Sequence, residues 1–323
     1  VIFAFVFALI GIAALIAARA SSPVAYFEPE HAILSGNVTT ANDATASGGQ
    51  YVQFNPGSTT SPAHKPLAPG TAWQWQLTGT VNEAVLDGVS GPKMYDIDMF
   101  SATPALIARL KAKGIYVVCY VESGDWAQGR PDAGDYAAAI LGRAIGGFPD
   151  EKFINVNALD SPAGPTGKTL RQIMAARFDL AKSKGCDGIE PDLDDLHTYN
   201  TGFSINMDQM VAYNKAIIDM GHARGMSVGL KNGASGGTFE QKMLQAGADW
   251  ALNEECNQFD ECDGYRHFVA AGKAVFQVEY LDNQSTPYGG ASGTCTRNNT
   301  ANFDGIVKDS SSSLSALPRI ACR

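Results

Sequence analysis

From Ala72 onward, short apolar runs alternate with stretches of helical period, and this alternation is the strongest structural signal in the chain. Period-two patterns predict strands over residues 73–77, 94–99, 116–122, 153–156, 188–192, 227–231, 250–254 and 275–280. Between them, Thr103-Pro104 offers a cap and first-turn proline ahead of Leu106, Ile107 and Leu110. Leu170, Ile173, Met174, Phe178 and Ala181 mark a second helical face, and Met207, Met210, Val211, Ile217 and Ile218 a third. Gly114, Gly185 and Gly225 stop their helices just before the next strand. Eight strands alternating with helices predict an α/β fold of the (β/α)8 TIM-barrel class. A doubly wound open sheet competes. Polar residues decide for the barrel, because they collect at the C-terminal ends of nearly all the strands and not at one switch point.

Upstream the pattern changes twice. Residues 1–18 (VIFAFVFALIGIAALIAA) form an uncharged apolar run long enough to cross a bilayer, and Ala18-Arg19-Ala20 has the form of a signal-peptidase site. A cleaved signal peptide and a retained signal anchor therefore compete for residues 1–20, and the length of the run favours the anchor. Residues 21–70 are mainly Ser, Thr, Ala, Gly, Pro and Asn without a sustained period, which predicts a flexible low-complexity linker. Residues 71–323 remain as the barrel domain.

Composition places this domain outside the cytoplasm, at a cell surface or secreted. The six cysteines are even in number, and Asn37, Asn283 and Asn298 open glycosylation sequons that only a secretory route uses. Cys256 and Cys262 are close enough for a local bridge, Cys295 with Cys322 would tie down the C-terminus, and Cys119 and Cys186 are either paired or merely buried. A net charge of -9 argues against nucleic acid and suits a cationic or neutral ligand. A monomer without a cofactor is expected, with membrane contact only through an uncleaved N-terminus.

The candidate chemistry begins with five carboxylates in residues 187–195, GCDGIEPDLDD from Gly185. On a strand, Glu190, Asp192 and Asp194 share one face and Ile189, Pro191 and Leu193 the other. Crowded like charges keep one carboxyl protonated where an isolated one ionises, as an acid catalyst requires. The other strand ends carry Gln74 and Gln76, Asp96 and Asp98, Tyr120 and Glu122, Asn155 and Asn157, Lys231 and Asn232, Glu254 and Glu255, and Glu279 and Tyr280. On a barrel these converge on one acidic mouth. Two carboxylates on opposite walls of such a mouth can break a glycosidic bond, and Glu254, ahead of the Cys256 to Cys262 bridge, is the natural partner for the acidic strand. Trp73, Trp75, Tyr95, Tyr120, Trp126 and Tyr280 are candidates to stack on sugar rings, and Lys231 to separate the pKa values of the carboxylates. Plainer readings compete: a solvated acidic loop, a backbone-bonding role for Asp187, and tryptophans in the core. A calcium or magnesium site at 192–195 lacks an EF-hand-like loop, and the five His have no zinc-like spacing, so no metal is assigned.

With these motifs in hand, the chain resembles glycoside hydrolase family 114, the endo-α-1,4-polygalactosaminidases and spherulin-4-like proteins. The likeness runs from Trp73 to about Tyr280. It rests on WQWQL at 73–77, YDID at 95–98, Tyr120 with Trp126 and Arg130-Pro131-Asp132, GCDGIEPD at 185–192, GLKN at 229–232, and NEEC at 253–256 through Glu261-Cys262. The resemblance implies a barrel that cuts α-1,4-linked galactosamine polymers internally with one Asp and one Glu, which fall at Asp192 and Glu254. Asp187, Glu190, Lys231, Trp73, Gln76, Asp98, Tyr120, Trp126, Glu279 and Tyr280 are the expected substrate-binding residues. The partner implied is a cationic or amino-sugar polysaccharide. A non-catalytic lectin holding the same polymer is the alternative from another class, and a metal-dependent hydrolase a third. Leu193 stands where the family pattern leads one to expect a polar residue, and 120–126 is a less familiar form of the third-strand motif.

Overall fold

The computed structural model describes residues 38–43, 45–46, 49–54, 67–81, 83, 91–233, 236–281, 289–309 and 315–323. The apolar run 1–18 and the sequons at Asn37 and Asn283 lie outside them. Among the described residues no helix is long and apolar enough to cross a membrane. The chain divides into two units, Val1–Thr60 and Ser61–Arg323.

The first unit corrects the expectation of a featureless linker. Strands β1 (Val38–Asn42) and β2 (Gln50–Phe54) pair antiparallel, Val38 opposite Phe54 and Asn42 opposite Gln50. Asp43 opens the turn, its carboxylate accepting from the Thr45 amide at 2.8 Å, a short-range bond that Asp offers readily.

The second unit begins before residue 71, since Leu67 is already buried in its core. It is the predicted barrel of parallel strands: β3 (Trp73–Gln76), β4 (Met94–Asp98), β5 (Tyr116–Glu122), β9 (Gly188–Asp192), β10 (Ser227–Lys231), β11 (Trp250–Glu254), β12 (Val275–Tyr280) and β13 (Asp304–Lys308). A two-residue strand, β14 (Ile320–Ala321), adds antiparallel to β13. First and last barrel strands meet through side chains: the Trp73 indole donates to the Asp304 carbonyl at 2.6 Å, and Lys308 Nζ to Gln74 Oε1 at 3.4 Å.

Two expectations need correction. Residues 153–156 are not a barrel strand. Phe153 and Ile154 end β8 (Phe148–Ile154), the middle of an antiparallel sheet with β6 (Asp125–Ala127) and β7 (Leu141–Ile145), inserted after β5, and Asn155 caps a short helical turn that starts at Val156. Phe153 and Ile154 carry a core-like pattern because this end of the inserted sheet is buried in the main hydrophobic core. The eighth barrel strand is β13. It follows a polar helix, α6 (Gly290–Ala301), whose sequence lacks an apolar stripe. Asn298 on α6 is 1% exposed and donates its amide to Gln277 at 2.6 Å, so the buried nitrogen is not open to a glycan.

The helices match their sequence signals. α1 (Pro104–Ala112) is capped by Thr103, and α2 (Leu170–Lys184) by a reciprocal Thr169–Gln172 box and left-handed Gly185. α3 (Met207–His222), α4 (Thr238–Ala246) and α5 (Arg266–Ala270) complete the outer layer. Inside the barrel Trp73, Trp250 and Phe276 fill the floor, with ring centroids 5.2 Å apart for Trp73 and Phe276. Gly229 makes room for them: a Cβ there would lie 2.3 Å from the Trp250 ring. Three disulfides pin the shell, Cys119–Cys186, Cys256–Cys262 and Cys295–Cys322.

Candidate active site

Because side chains alternate along each strand, every second residue faces the barrel interior. That parity turns Asp96 and Asp98, Tyr120 and Glu122, Glu190 and Asp192, Lys231, Glu254, and Tyr280 inward above the aromatic floor. The register aligns Asp98, Tyr120 and Glu190 in one row and Glu122 with Asp192 in the next. Their upper ends line a cleft of about 460 Å³, whose walls include Trp75, Asp98, Tyr120, Glu122, Asp192, Lys231 and Glu254.

Lys231 is the hub. Only 3% of its side chain is exposed, and Nζ lies 3.1 Å from Glu190 Oε1, 3.2 Å from Asp192 Oδ1 and 3.3 Å from Glu254 Oε2, above the Trp75 ring. Burial works against its charge, but Asp192, Glu190 and Glu254 outweigh it and hold the ammonium well above its usual range. Each outer carboxylate also has a tyrosine. Tyr120 Oη donates to Asp192 Oδ2 at 2.8 Å, and Tyr280 Oη makes a short bond to Glu254 Oε1.

Below them Glu190 is fully buried, accepting from the Trp75 indole at 3.2 Å. Beside it, burial first and Glu190 second push the Asp96 carboxyl well above the carboxylate range. Glu190 is raised less, because Lys231 and the hydrogen bond from Asp96 oppose its burial. Burial therefore works against charge on both carboxyls, and more strongly on Asp96. At the ends of β4 and β5 Arg130 bonds Asp98 Oδ2 at 2.6 Å and also Glu122, while Arg177 takes Asp132 in a two-point grip at 2.7 and 2.9 Å.

The chain turns sharply after each key strand. Leu193, Asn232 and Glu255, the residues following Asp192, Lys231 and Glu254, have φ of 54°, 51° and 63°. Left-handed backbone costs about 1–2 kcal/mol in a non-glycine residue, and such conformations gather at functional sites. The packing that holds Leu193 includes Gly124, where a Cβ would sit 1.9 Å from the Leu193 carbonyl oxygen. The same turn takes Asp194 off the strand, so it does not join the acidic front; it is buried and accepts from the Lys231 amide at 2.9 Å.

The model of glycoside-hydrolase family GH114 matches residues 55–320. The chain belongs to this family. As a GH114 member it is a glycoside hydrolase, and its cleft is where that chemistry is to be sought. Among solved structures, Aspergillus fumigatus Ega3 in complex with galactosamine is 28% identical, with a TM-score of 0.67 over 82% of this chain and 100% of that one. The glycoside hydrolase domain of PelA from Pseudomonas aeruginosa shares the fold at 12% identity and a TM-score of 0.54, over 77% and 98% of the two chains. No curated protein sequence matches.

Of the residues expected to form the site, Asp192, Glu254, Glu190, Lys231, Asp98, Tyr120 and Tyr280 are brought together in this GH114 barrel. Others lie elsewhere. Asp187 precedes β9 at the opposite end of the barrel, where it takes Lys111 at 2.7 Å and the Val117 amide at 3.1 Å. Trp73 belongs to the floor. Gln76 and Glu279 face outward: Gln76 accepts from Tyr95 Oη at 2.8 Å, and Glu279 from the Asn257 amide at 2.8 Å. Trp126 donates to the Ala133 carbonyl at 2.9 Å, away from the residues lining the cleft. Asp96 and Glu122, expected at the mouth as strand-end residues, and Trp75, expected as a sugar platform, also lie here; Arg130 was named only within a family motif, and Arg177 was not among the expected site residues. For Arg177 a signal existed: residues 173, 174, 177, 178 and 181 share one helix face, and a lone arginine among four apolar residues marks a buried charge with a partner.

Proposed function

We propose that the chain is an endo-acting glycosidase of α-1,4-linked, partly deacetylated galactosamine polysaccharide, with Asp192 as nucleophile and Glu254 as acid/base. The observation that carries this reading is the bridge through Lys231 between carboxylates on β9 and β11. Since Nζ touches one oxygen of each, the sum of those distances, about 6.5 Å, is the upper limit on the gap between them. Carboxyls about 5 Å apart suit a double displacement with retention, whereas ~6.5–9.5 Å leaves space for inverting water. The gap supports retention.

In the first step a carboxylate oxygen of Asp192 bonds to the anomeric carbon as the bond to the leaving sugar oxygen breaks, and Glu254 gives that oxygen its proton. Water then attacks the glycosyl-enzyme, Glu254 takes a water proton, and Asp192 leaves as carboxylate. Lys231 and Tyr120 each hold one oxygen of Asp192 in place. The galactosamine substrate is supported by the 28% identity to an enzyme whose structure holds that sugar, and by the anionic cleft of a chain with net charge -9. Three disulfides support an extracellular or secretory location.

The test is hydrolysis of a defined galactosamine oligomer by the wild type and by Asp192→Asn and Glu254→Gln separately, with product lengths and anomers followed by NMR. Each variant should lose about 10²–10⁴-fold in kcat, and the first product should keep the α configuration. Activity surviving both substitutions would overturn the assignment.

A further inference from the structure

The β7–β8 hairpin of the inserted sheet forms one wall of the cleft, and its residues have no role in the pair of carboxylates. Gly147, in the left-handed conformation, makes its tip, and Ile145 stands opposite Phe148 in the ladder. β8 is held on its other edge by β6 and ends in buried Phe153 and Ile154, so the wall has a fixed base. Two features stand out on it. Phe148 lines the cleft although 54% of the residue is exposed, an open aromatic face on the cleft that Asp192 and Glu254 also line. Glu151 lines the same cleft and differs from every other carboxylate there. Asp98 and Glu122 are paired with Arg130, and Asp192 and Glu254 with Lys231. Among the described residues no cation pairs with Glu151; its neighbour Lys152 stands over the Trp126 ring.

The electrostatics point the same way. Burial, then Glu122 and Asp192, raise the pKa of Glu151, and Arg130, already shared by two acids, opposes this only in part. Glu151 thus stands in the negative field of its neighbours without a cation paired to it among the described residues, on the wall that also carries the exposed Phe148 ring. A carboxylate and an aromatic face together match a sugar with an apolar ring face and a cationic substituent.

We propose that Phe148 and Glu151 form a binding subsite for a 2-amino sugar in its ammonium form, and that Glu151 sets the preference for deacetylated over N-acetylated residues. The proposal rests on the reading of the cleft as a galactosaminidase site and specifies how the amino group is read. The ring stacks on Phe148 and the ammonium pairs with Glu151, which an N-acetyl group, neutral and bulkier, does not do.

The test compares wild type, Glu151→Gln and Phe148→Ala on galactosamine and N-acetylgalactosamine oligomers of equal length. Glu151→Gln should lower kcat/KM on the deacetylated oligomer about five- to tenfold, through KM, with the acetylated one unchanged and the salt dependence reduced. Phe148→Ala should weaken both oligomers alike. Equal losses on both oligomers in Glu151→Gln, or none, would overturn the subsite. Should the wild type cleave neither oligomer, the galactosaminidase reading falls. Calorimetric binding of the galactosamine oligomer then decides the subsite, which is overturned if Glu151→Gln binds as the wild type does.

Discussion

Tyr120 Oη donates to Asp192 Oδ2 at 2.8 Å, from a position on β5 two strand-residues short of Glu122, the register partner of Asp192. The bond fixes the direction of the carboxylate, so that the other oxygen, Oδ1, faces Lys231. A hydrogen bond to a charged group is worth about 1.5–3 kcal/mol. Tyr120→Phe should therefore cut kcat by roughly 10- to 100-fold with little change in thermal stability. Steady-state kinetics with a parallel melting curve checks this; a drop in Tm with unchanged kcat would make Tyr120 a packing residue only.

Asp96 calls for a pair of substitutions. It is fully buried beside Glu190, which meets Lys231 at 3.1 Å, and burial and that neighbouring carboxylate push the Asp96 carboxyl well above the carboxylate range. An amide replaces a protonated carboxyl with little change in shape. Asp96→Asn should keep kcat within about threefold, whereas Asp96→Ala leaves Glu190 short of a donor and costs roughly tenfold or more. If Asp96→Asn proved as damaging as Asp96→Ala, the proton would not reside on Asp96.

Much of this arrangement was legible in the sequence, and the parts that were not have identifiable causes. Seven of the eight barrel strands carry apolar runs bounded by glycine stops, and period two assigned Glu190 and Asp192 to the front of β9. The error at 153–156 arose because periodicity reports burial and not pairing: the buried end of an antiparallel strand in an inserted sheet looks like a parallel barrel strand. Gln76 and Glu279 were grouped with their inward neighbours, although alternation puts Gln76 opposite in facing to Trp75 and Glu279 opposite to Tyr280. Asp194 fits the alternation but lies beyond a left-handed residue, Leu193, which no local pattern announces. The matching of Arg130 to Asp98 and Glu122 joins elements separated in sequence and emerges only when the barrel closes.

Asp195 provides a pH signature. It is 6% exposed, and burial first, then Asp192, push its carboxyl up to about 7. The unfolded value is about 3.9, so between the two the folded chain binds more protons than the unfolded one. The associated stability is fully present below about pH 4 and is lost as pH rises through about 7. At full shift that is about 4 kcal/mol, an upper figure for one buried group. Asp195→Asn should flatten the stability profile between pH 4.5 and 8 by about 2–4 kcal/mol in urea titrations. An unchanged pH slope in the variant would assign the effect to other carboxyls.

Cys256–Cys262 closes the loop that follows Glu254, and Cys295–Cys322 joins α6 to the C-terminal residues away from the cleft. Chain entropy ranks them by loop length, separations of 6 and 27 residues. The shorter should contribute about 2.5 kcal/mol and the longer about 3.5 kcal/mol. Their effects on catalysis should run in the opposite order. Glu254 leads into Glu255 at φ 63°, and the Cys256 amide donates to Asn253 Oδ1 at 2.7 Å, so the short bridge holds the turn that directs Glu254. Replacing Cys256 and Cys262 by alanine should lower kcat about tenfold with a modest loss of stability, a misplacement effect. Replacing Cys295 and Cys322 should lower Tm more and leave kcat unchanged. Equal kcat losses in the two double variants would show that the short bridge acts on global stability alone.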